Sequence, residues 1–161
     1  MRPGETMSAS EQDDRRWMEV ALEEARCAFD SGDVPVGAVV VSGGRVVGRG
    51  RNRVEHLGDP TAHAEILAIG AATKTLGFPR LTEATIYVTM EPCAMCAGAI
   101  VLARLERLVY GCHDPKAGYC GSLGNLVDEP GLNHRVAVTS GVLADTCGAL
   151  LSSFFERVRL R

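Results

Sequence analysis

The sequence predicts an α/β protein with three layers, in which helices flank a central mixed sheet of five strands. Runs of β-branched residues alternate along the chain with amphipathic segments of helical period. The chain has 161 residues, of which 46% are hydrophobic, and this is enough for one compact core. We therefore expect a single domain over residues 16–161. Residues 1–15 are polar or small and are expected to form a disordered leader.

The first part of the domain is predicted to form a helix and then a β-hairpin. The helix begins at Trp17, because apolar residues recur at helical spacing through the stretch WMEVALEEARCAFDSGD. Two β-branched runs follow within residues 35–50. Gly43 and Gly44 lie between the two runs and are a hairpin turn signal.

The rest of the chain is predicted to alternate helices with strands, starting with a helix over 60–77. Pro60 suits the first turn of that helix, and the hydroxyl of Thr61 can cap its free amides. The later elements are a strand over 84–90, a helix over 93–105, a strand over 107–111, a loop over 112–132, a strand within 134–143 and a helix from 143. Right-handed crossovers between parallel strands place both middle helices on one sheet face, and both should begin at the carboxyl edge of the sheet.

Four side chains at these two helix starts form a candidate catalytic metal site. Cys93 and Cys96 lie on one face of a helix N-terminus, where free amides stabilise thiolates. A pair of this spacing alone is also found in redox sites, in structural zinc sites and in buried cores. With His63 at the same sheet edge, the pair supplies three ligands for zinc and leaves a fourth position open for water. Glu65 stands where a base for that water is needed. His-x-Glu followed by Pro-Cys-x-x-Cys is a signature of zinc-dependent nucleobase deaminases.

From about Trp17 to Phe155 the chain resembles the bacterial tRNA-specific adenosine deaminases, which belong to the cytidine/deoxycytidylate deaminase superfamily. The resemblance is carried by VPVGAVVV, DPTAHAEILA, ATIYVTMEPCAMCAGAI, DPKAGYCGSL, PGLNHRV and ADTCGALLSSFFERVR. It implies a cytidine deaminase-like fold, one zinc ion per subunit and a homodimer. The implied reaction is hydrolytic conversion of the wobble adenosine to inosine in the anticodon loop of an arginine tRNA. The chain departs from the family pattern at Cys112, His113 and Cys120, all within the loop predicted over 112–132.

The resemblance also implies substrate contacts, each with a structural alternative. Asn52 matches a nucleoside-contacting asparagine, although a turn residue is the alternative. Asp114 matches a position near the target base but could instead cap its loop. The backbone at Met90 and Glu91 should run past the base, with the Glu91 side chain in a structural role. Phe155 and Arg157 are expected to lie beside the anticodon loop, although an aromatic pair in this helix could also be core.

Composition narrows the remaining possibilities. The net charge of −3 argues against indiscriminate coating of nucleic acid but allows a local basic surface. We expect a cytoplasmic protein, because the sequence shows no signal peptide or membrane span and its 6 cysteines suit a reducing compartment. Two other functions stay open. One is a small-molecule deaminase acting on guanine, cytosine or a nucleoside. The other is a zinc-stapled binding module, with Cys112 or Cys120 as a fourth ligand.

Overall fold

The structure is a computed structural model, and it describes residues 3–160. The first two residues of the expected leader and the last residue of the expected final helix lie outside that range. The elements in chain order are α1 Ala9–Asp30, β1 Gly37–Ser42, β2 Arg45–Arg51, α2 Val54–Leu57, α3 Ala64–Leu76, β3 Thr85–Met90, α4 Ala94–Leu102, β4 Arg107–Cys112, β5 Ala137–Thr139 and α5 Ala144–Arg159, with a 3-10 turn at Leu126–Asp128. No helix in this described part is both long and apolar enough to cross a bilayer.

The five strands form one mixed sheet in the order β2-β1-β3-β4-β5. β1 is antiparallel to both β2 and β3, while β3, β4 and β5 run parallel to one another. Because β1 runs against its neighbours, its first residue lies at the same edge as the carboxyl ends of β2, β3 and β4. The predicted mixed sheet of five strands is confirmed, and ligand sites collect at this edge of such sheets.

Helices cover both faces of the sheet, so the predicted three-layer architecture is confirmed. One core cluster packs α3 and α4 against side chains such as Val40 and Val88, and the other packs α1 and α5 against Val39 and Val109. Helix α3 lies directly on the backbone of β2. A Cβ atom added to Gly50 would lie 2.2 Å from the carbonyl oxygen of Ala64, which no side chain could tolerate. This close approach holds the start of α3 beside the end of β2.

The first helix begins earlier than predicted, and this corrects the expected leader. Helix α1 starts at Ala9, so residues 9–15 are helical rather than disordered. A capping box explains the boundary: the Ser8 hydroxyl accepts from the Glu11 amide at 3.2 Å, and the Ser8 amide donates to the Glu11 carboxylate at 2.9 Å. The S-x-x-E pattern was visible in the sequence but precedes a polar turn rather than an apolar run.

The extra turns of α1 bring Asp14 into a buried ionic contact with the sheet. Its carboxylate accepts from both terminal nitrogens of Arg107, at 2.7 and 2.6 Å, and from the Tyr87 hydroxyl at 2.9 Å. Arg107 also donates to the Thr139 hydroxyl at 2.8 Å. Burial and the contact with Asp14 raise the pKa of Tyr87, so it stays a neutral donor. The network ties α1 to three neighbouring strands.

Replacing Asp14 with alanine should therefore destabilise the protein by about 3 kcal/mol, because it leaves a largely buried arginine without its carboxylate. For a chain of this size we expect the melting temperature to fall by about 6–12 °C. Differential scanning calorimetry measures the change. The matched control is Asp13→Ala at the exposed neighbouring position, which should stay within about 0.5 kcal/mol of the parent. Equal losses in the two variants would contradict a specific role for the buried network.

The helix predicted from Pro60 begins instead at Ala64. Asp59 engages Thr61, the residue that was expected to cap the helix. Its carboxylate accepts from the Thr61 amide at 2.8 Å and from the Thr61 hydroxyl at 2.7 Å. Thr61 therefore belongs to a turn and does not cap α3. Two other differences are the short helix α2, which was not predicted, and β5, which has 3 residues and is shorter than its apolar pattern suggests.

Candidate active site

Two of the predicted metal ligands occupy equivalent positions at the starts of α3 and α4. His63 is the residue before α3, with φ −78° and ψ 151°, and Cys93 is the residue before α4, with φ −74° and ψ 177°. These extended conformations let each side chain project past the end of its helix. Cys96 lies in the first turn of α4. The sheet edge thus brings together two helix ends from segments 30 residues apart.

The three predicted ligands converge tightly enough to hold one zinc ion. The Nδ1 atom of His63 lies 3.6 Å from the Cys93 sulfur and 3.5 Å from the Cys96 sulfur. Tetrahedral zinc with ordinary bond lengths would separate a nitrogen and a sulfur ligand by about 3.6 Å. The ligand atoms of these three residues all lie within 4.8 Å of one another. Among the His, Cys, Asp and Glu side chains of the described residues, these three form a possible metal site. The donor set and its spacing therefore fit zinc.

The two thiols differ in their readiness to ionise. Hydrogen bonding with the Cys96 thiol lowers the pKa of Cys93 to about 5 against the opposing effect of burial, and the Met95 and Cys96 amides at the start of α4 lower it further. The contact with Cys93 and burial raise the pKa of Cys96. A thiolate is therefore available beside the histidine before any cation is bound, and a divalent cation would stabilise the second thiolate.

Glu65 lies in the first turn of α3, directly behind the ligand cluster. It is one of the few buried charged residues, with 4% of its surface exposed. Burial raises its pKa, and its carboxyl group faces Cys96 and His63. A buried carboxyl group with a raised pKa is suited to taking up and releasing a proton.

A cavity of about 180 Å³ opens in front of this cluster. It is smaller than the roughly 300–1,000 Å³ pockets that hold drug-sized ligands, and it suits one small planar group. Of the predicted substrate residues, Asn52, Met90 and Asp114 line it together with His63, Glu65 and Cys93. The lining residues that sequence reasoning missed are Val34, Val36, Ala64 and Ala117. The two valines could have been found, because they precede an antiparallel strand that begins at this edge of the sheet.

Asn52 and Asp114 both make the local hydrogen bonds that were their structural alternative, and both line the cavity. The Asn52 side-chain oxygen accepts from the Val54 amide at 3.1 Å, so its NH₂ group is the part that can donate to a ligand. One oxygen of Asp114 accepts from the amides of Lys116 and Ala117, at 3.1 and 3.2 Å. Both residues shape their own loops and also line the cavity.

The two candidates in the final helix lie outside this cavity and apart from each other. Phe155 is 47% exposed and lines a separate groove with Lys116 and Arg159. Its neighbour Phe154 is buried against Phe29, with ring centroids 5.7 Å apart, so one ring of the aromatic pair belongs to the core. Arg157 instead lies over the Phe29 ring, 5.4 Å from its centroid. Arg157 therefore lines neither the cavity nor the groove at Phe155.

The cysteines proposed as a fourth ligand are engaged elsewhere. Cys112 donates to the Thr89 carbonyl oxygen at 3.5 Å, and neither it nor Cys120 belongs to the ligand cluster found among residues 3–160. Burial raises the pKa of Cys120 to about 12, so it is a neutral thiol. The cluster keeps three protein ligands, which is the arrangement of catalytic rather than structural zinc sites.

Comparison with known proteins also indicates a deaminase. A family model for MafB19-like deaminases matches residues 12–159. The tRNA-specific adenosine deaminase of Bacillus subtilis (strain 168) is 49% identical over 146 residues, which cover 91% of this chain and 91% of that protein. The tRNA-specific adenosine deaminase of Aquifex aeolicus (strain VF5) is 46% identical over 143 residues, covering 89% and 94% of the two chains.

Solved structures share the fold. One, from a study of A-to-I editing at the wobble position of transfer RNA, superposes with a TM-score of 0.81 at 46% identity and covers 84% of this chain and 98% of its own. Another, a protein in complex with 2,6-diaminopurine, has a TM-score of 0.77 at 28% identity, with 88% and 80% covered. The identity over nearly the whole length, the shared fold and the ligand cluster agree. This chain belongs to the family of tRNA-specific adenosine deaminases.

Proposed function

We propose that this protein is a zinc-dependent hydrolase that converts the wobble adenosine of an arginine tRNA to inosine in the cytoplasm. The observation that carries the proposal is one cavity lined by a metal-ligand cluster, a buried carboxyl group and two polar side chains, Asn52 and Asp114. The similarity to tRNA-specific adenosine deaminases supports adenosine in tRNA as the substrate.

The side chains around the cavity divide the work of hydrolytic deamination. His63, Cys93 and Cys96 would hold zinc, which when bound acts as a Lewis acid and lowers the pKa of water to about 7. Glu65 takes one proton from the attacking water and passes it to the ring nitrogen as the oxygen adds to the carbon that bears the amine. It then moves the second proton of that oxygen to the amine, which leaves as ammonia when the carbon–nitrogen bond breaks. Asn52 donates from its NH₂ group to an acceptor on the nucleoside. Its oxygen stays on the Val54 amide, so the orientation of this donor is fixed.

The size and position of the cavity favour a base that has left its stack. The cavity suits one planar base and lies at the edge of the sheet, so an adenine inside a duplex could not reach Glu65. Bases in a single-stranded loop can be turned out into such a pocket at small cost. We therefore place the anticodon loop over this edge and the stem beyond it.

The groove beside α5 is the surface that the flanking nucleotides would contact. Lys116 lies two residues after Asp114, so the groove and the base cavity are joined by one short loop. Phe155 offers an exposed ring for stacking, and Lys116 and Arg159 offer positive charge for phosphates. Arg159 is therefore the arginine that we place beside the anticodon loop. Arg157, which was expected there, has its guanidinium over the Phe29 ring.

Replacing Phe155 with alanine should raise KM for tRNA by about 10-fold with little change in kcat, because it removes one stacking surface outside the reacting site. Steady-state kinetics on an anticodon stem-loop measures the change. Arg157→Ala is the matched control in the same turn of α5, and its KM should stay close to that of the parent. A larger effect at Arg157 than at Phe155 would contradict this assignment of the two faces.

We also propose that the protein acts as a homodimer, with α4 at the contact between subunits. Met95 and Leu102 project from α4 with 37% and 76% of their surface exposed, and both are apolar. A second copy of this chain would cover both through a two-fold contact. Leu102→Glu should shift the protein to a monomer in sedimentation analysis, and an unchanged dimer would place the contact elsewhere.

A small-molecule deaminase is the second candidate, and one observation favours it. The fold superposes well on a protein bound to 2,6-diaminopurine, a free purine. Such an enzyme would need the ligand cluster and Glu65 but not the groove at Phe155.

One assay separates the two candidates. We would incubate the protein with an arginine tRNA bearing an ACG anticodon and, in parallel, with free guanine, cytosine and adenosine. Inosine at the wobble position, with no turnover of the free compounds, supports the tRNA enzyme. Turnover of a free base with unmodified tRNA would overturn the proposal.

A further inference from the structure

Glu91 is a buried carboxylate at the edge of the cavity that the chemistry described above does not use. It follows β3 directly and comes two residues before the ligand Cys93. Its side chain is fully buried, with 0% exposure. A carboxylate in this position could be mistaken for a second proton donor. Its hydrogen bonds show instead that both oxygens are turned into the loop over residues 112–122.

Five polar groups of that loop converge on the two oxygens. Oε1 accepts from the Asp114 amide at 3.0 Å and from the Ser122 hydroxyl, and it lies 3.3 Å from Nδ1 of His113. Oε2 accepts from the amides of Cys120 and Ser122, at 3.1 and 3.0 Å. Three backbone amides of an irregular loop are thus satisfied by one side chain.

The middle of the loop also packs directly against this carboxylate. A Cβ atom added to Gly118 would lie 2.3 Å from Oε2 of Glu91 and 2.6 Å from the Asp114 carbonyl oxygen. The next residue, Tyr119, donates its amide to the Pro92 carbonyl oxygen at 2.9 Å. Only a glycine lets the loop come this close, so loop and carboxylate form one packed unit.

This loop supplies one wall of the substrate cavity. Asp114 and Ala117 line the cavity, and Lys116 lines the adjacent groove. We propose that Glu91 is a positioning residue: by gathering the loop amides, it fixes Asp114 at the cavity before substrate arrives. The proposal rests on the proposed function, since the substrate is taken to be the anticodon loop. Without Glu91 the wall would have to be ordered by the RNA itself, which weakens binding rather than the chemical step.

The test compares Glu91→Gln with the parent zinc-loaded protein. Glutamine has the same shape, but an NH₂ group replaces one of the two carboxylate oxygens. The loop amides that donate to that oxygen therefore lose their acceptor. We expect about 10-fold higher KM for the anticodon stem-loop, kcat within about 3-fold, and unchanged zinc content. Amide hydrogen exchange should become about 10-fold faster in peptides covering 112–123 and stay unchanged in β1 and α3. Glu106→Gln, an exposed glutamate at the opposite end of β4, is the matched control and should behave like the parent.

Two variants disturb the same contact from the side of the loop. Gly118→Ala should reproduce the rise in KM, and Ser122→Ala should give a smaller one, since it removes a single donor. They decide the question if Glu91→Gln does not fold. A fall in kcat or zinc content with unchanged KM would overturn the proposal, as would unchanged exchange in the loop. If the parent makes no inosine, the proposed function fails instead, while the exchange measurement still reports on the role of Glu91.

Discussion

Replacing Glu65 with glutamine should abolish nearly all turnover while leaving the zinc site intact. Glutamine occupies the same volume but cannot take a proton from water or return one to the base. Loss of a general acid–base group of this kind costs about 10²–10⁴-fold in rate. The buried position of Glu65 makes the upper end of that range the expected one, because at 4% exposure bulk water cannot replace the proton carrier. Single-turnover inosine formation measures the loss.

Metal analysis gives this prediction its control. Glu65 lies outside the cluster of His63, Cys93 and Cys96, so the variant should still hold about one zinc ion per chain. Binding of the anticodon stem-loop should also be retained. Glu106→Gln makes the same change at an exposed position and should keep full activity. Loss of zinc together with activity would show that Glu65 supports the metal site rather than moving protons.

The residues of the candidate site were predictable because short-range patterns and one topological rule determine their placement. His63, Glu65, Cys93 and Cys96 lie at two helix starts, and helices that follow parallel strands begin at the same sheet edge. The order of elements also predicts the mixed sheet. The assignment of both helices to one face follows from the handedness of the crossovers.

The features that escaped prediction depend on partners far away in the sequence. Asp14 looks like part of a polar leader until Arg107, 93 residues away, is known to meet it. Glu91 was expected to have a structural role, but its partners, the amides of Asp114 and Cys120, lie 23 and 29 residues further along the chain. The start of α3 is a local exception: it moves from Pro60 to Ala64 because Asp59, only two residues before Thr61, engages Thr61 first. Secondary-structure propensity alone does not predict which of several possible hydrogen bonds each of these side chains forms.

Replacing His63 with alanine should remove zinc, activity and part of the stability together. The histidine supplies the one nitrogen of the cluster, and two sulfurs alone leave zinc two-coordinate on the protein side. A ligand bound only to the native state stabilises it by about 4 kcal/mol when its free concentration is 1,000-fold above Kd. For a chain of this size that corresponds to a fall in melting temperature of about 8–16 °C.

Chelation of the parent protein provides the matching measurement for this last prediction. Because the loss of stability comes from the missing ion, the parent stripped of zinc should melt close to the His63→Ala variant, and added zinc should restore only the parent. His56→Ala, in the exposed helix α2, should keep its zinc and its melting temperature. If His63→Ala retained about one zinc ion per chain, another side chain would have to complete the site. The three-ligand arrangement on which the reaction depends would then be wrong.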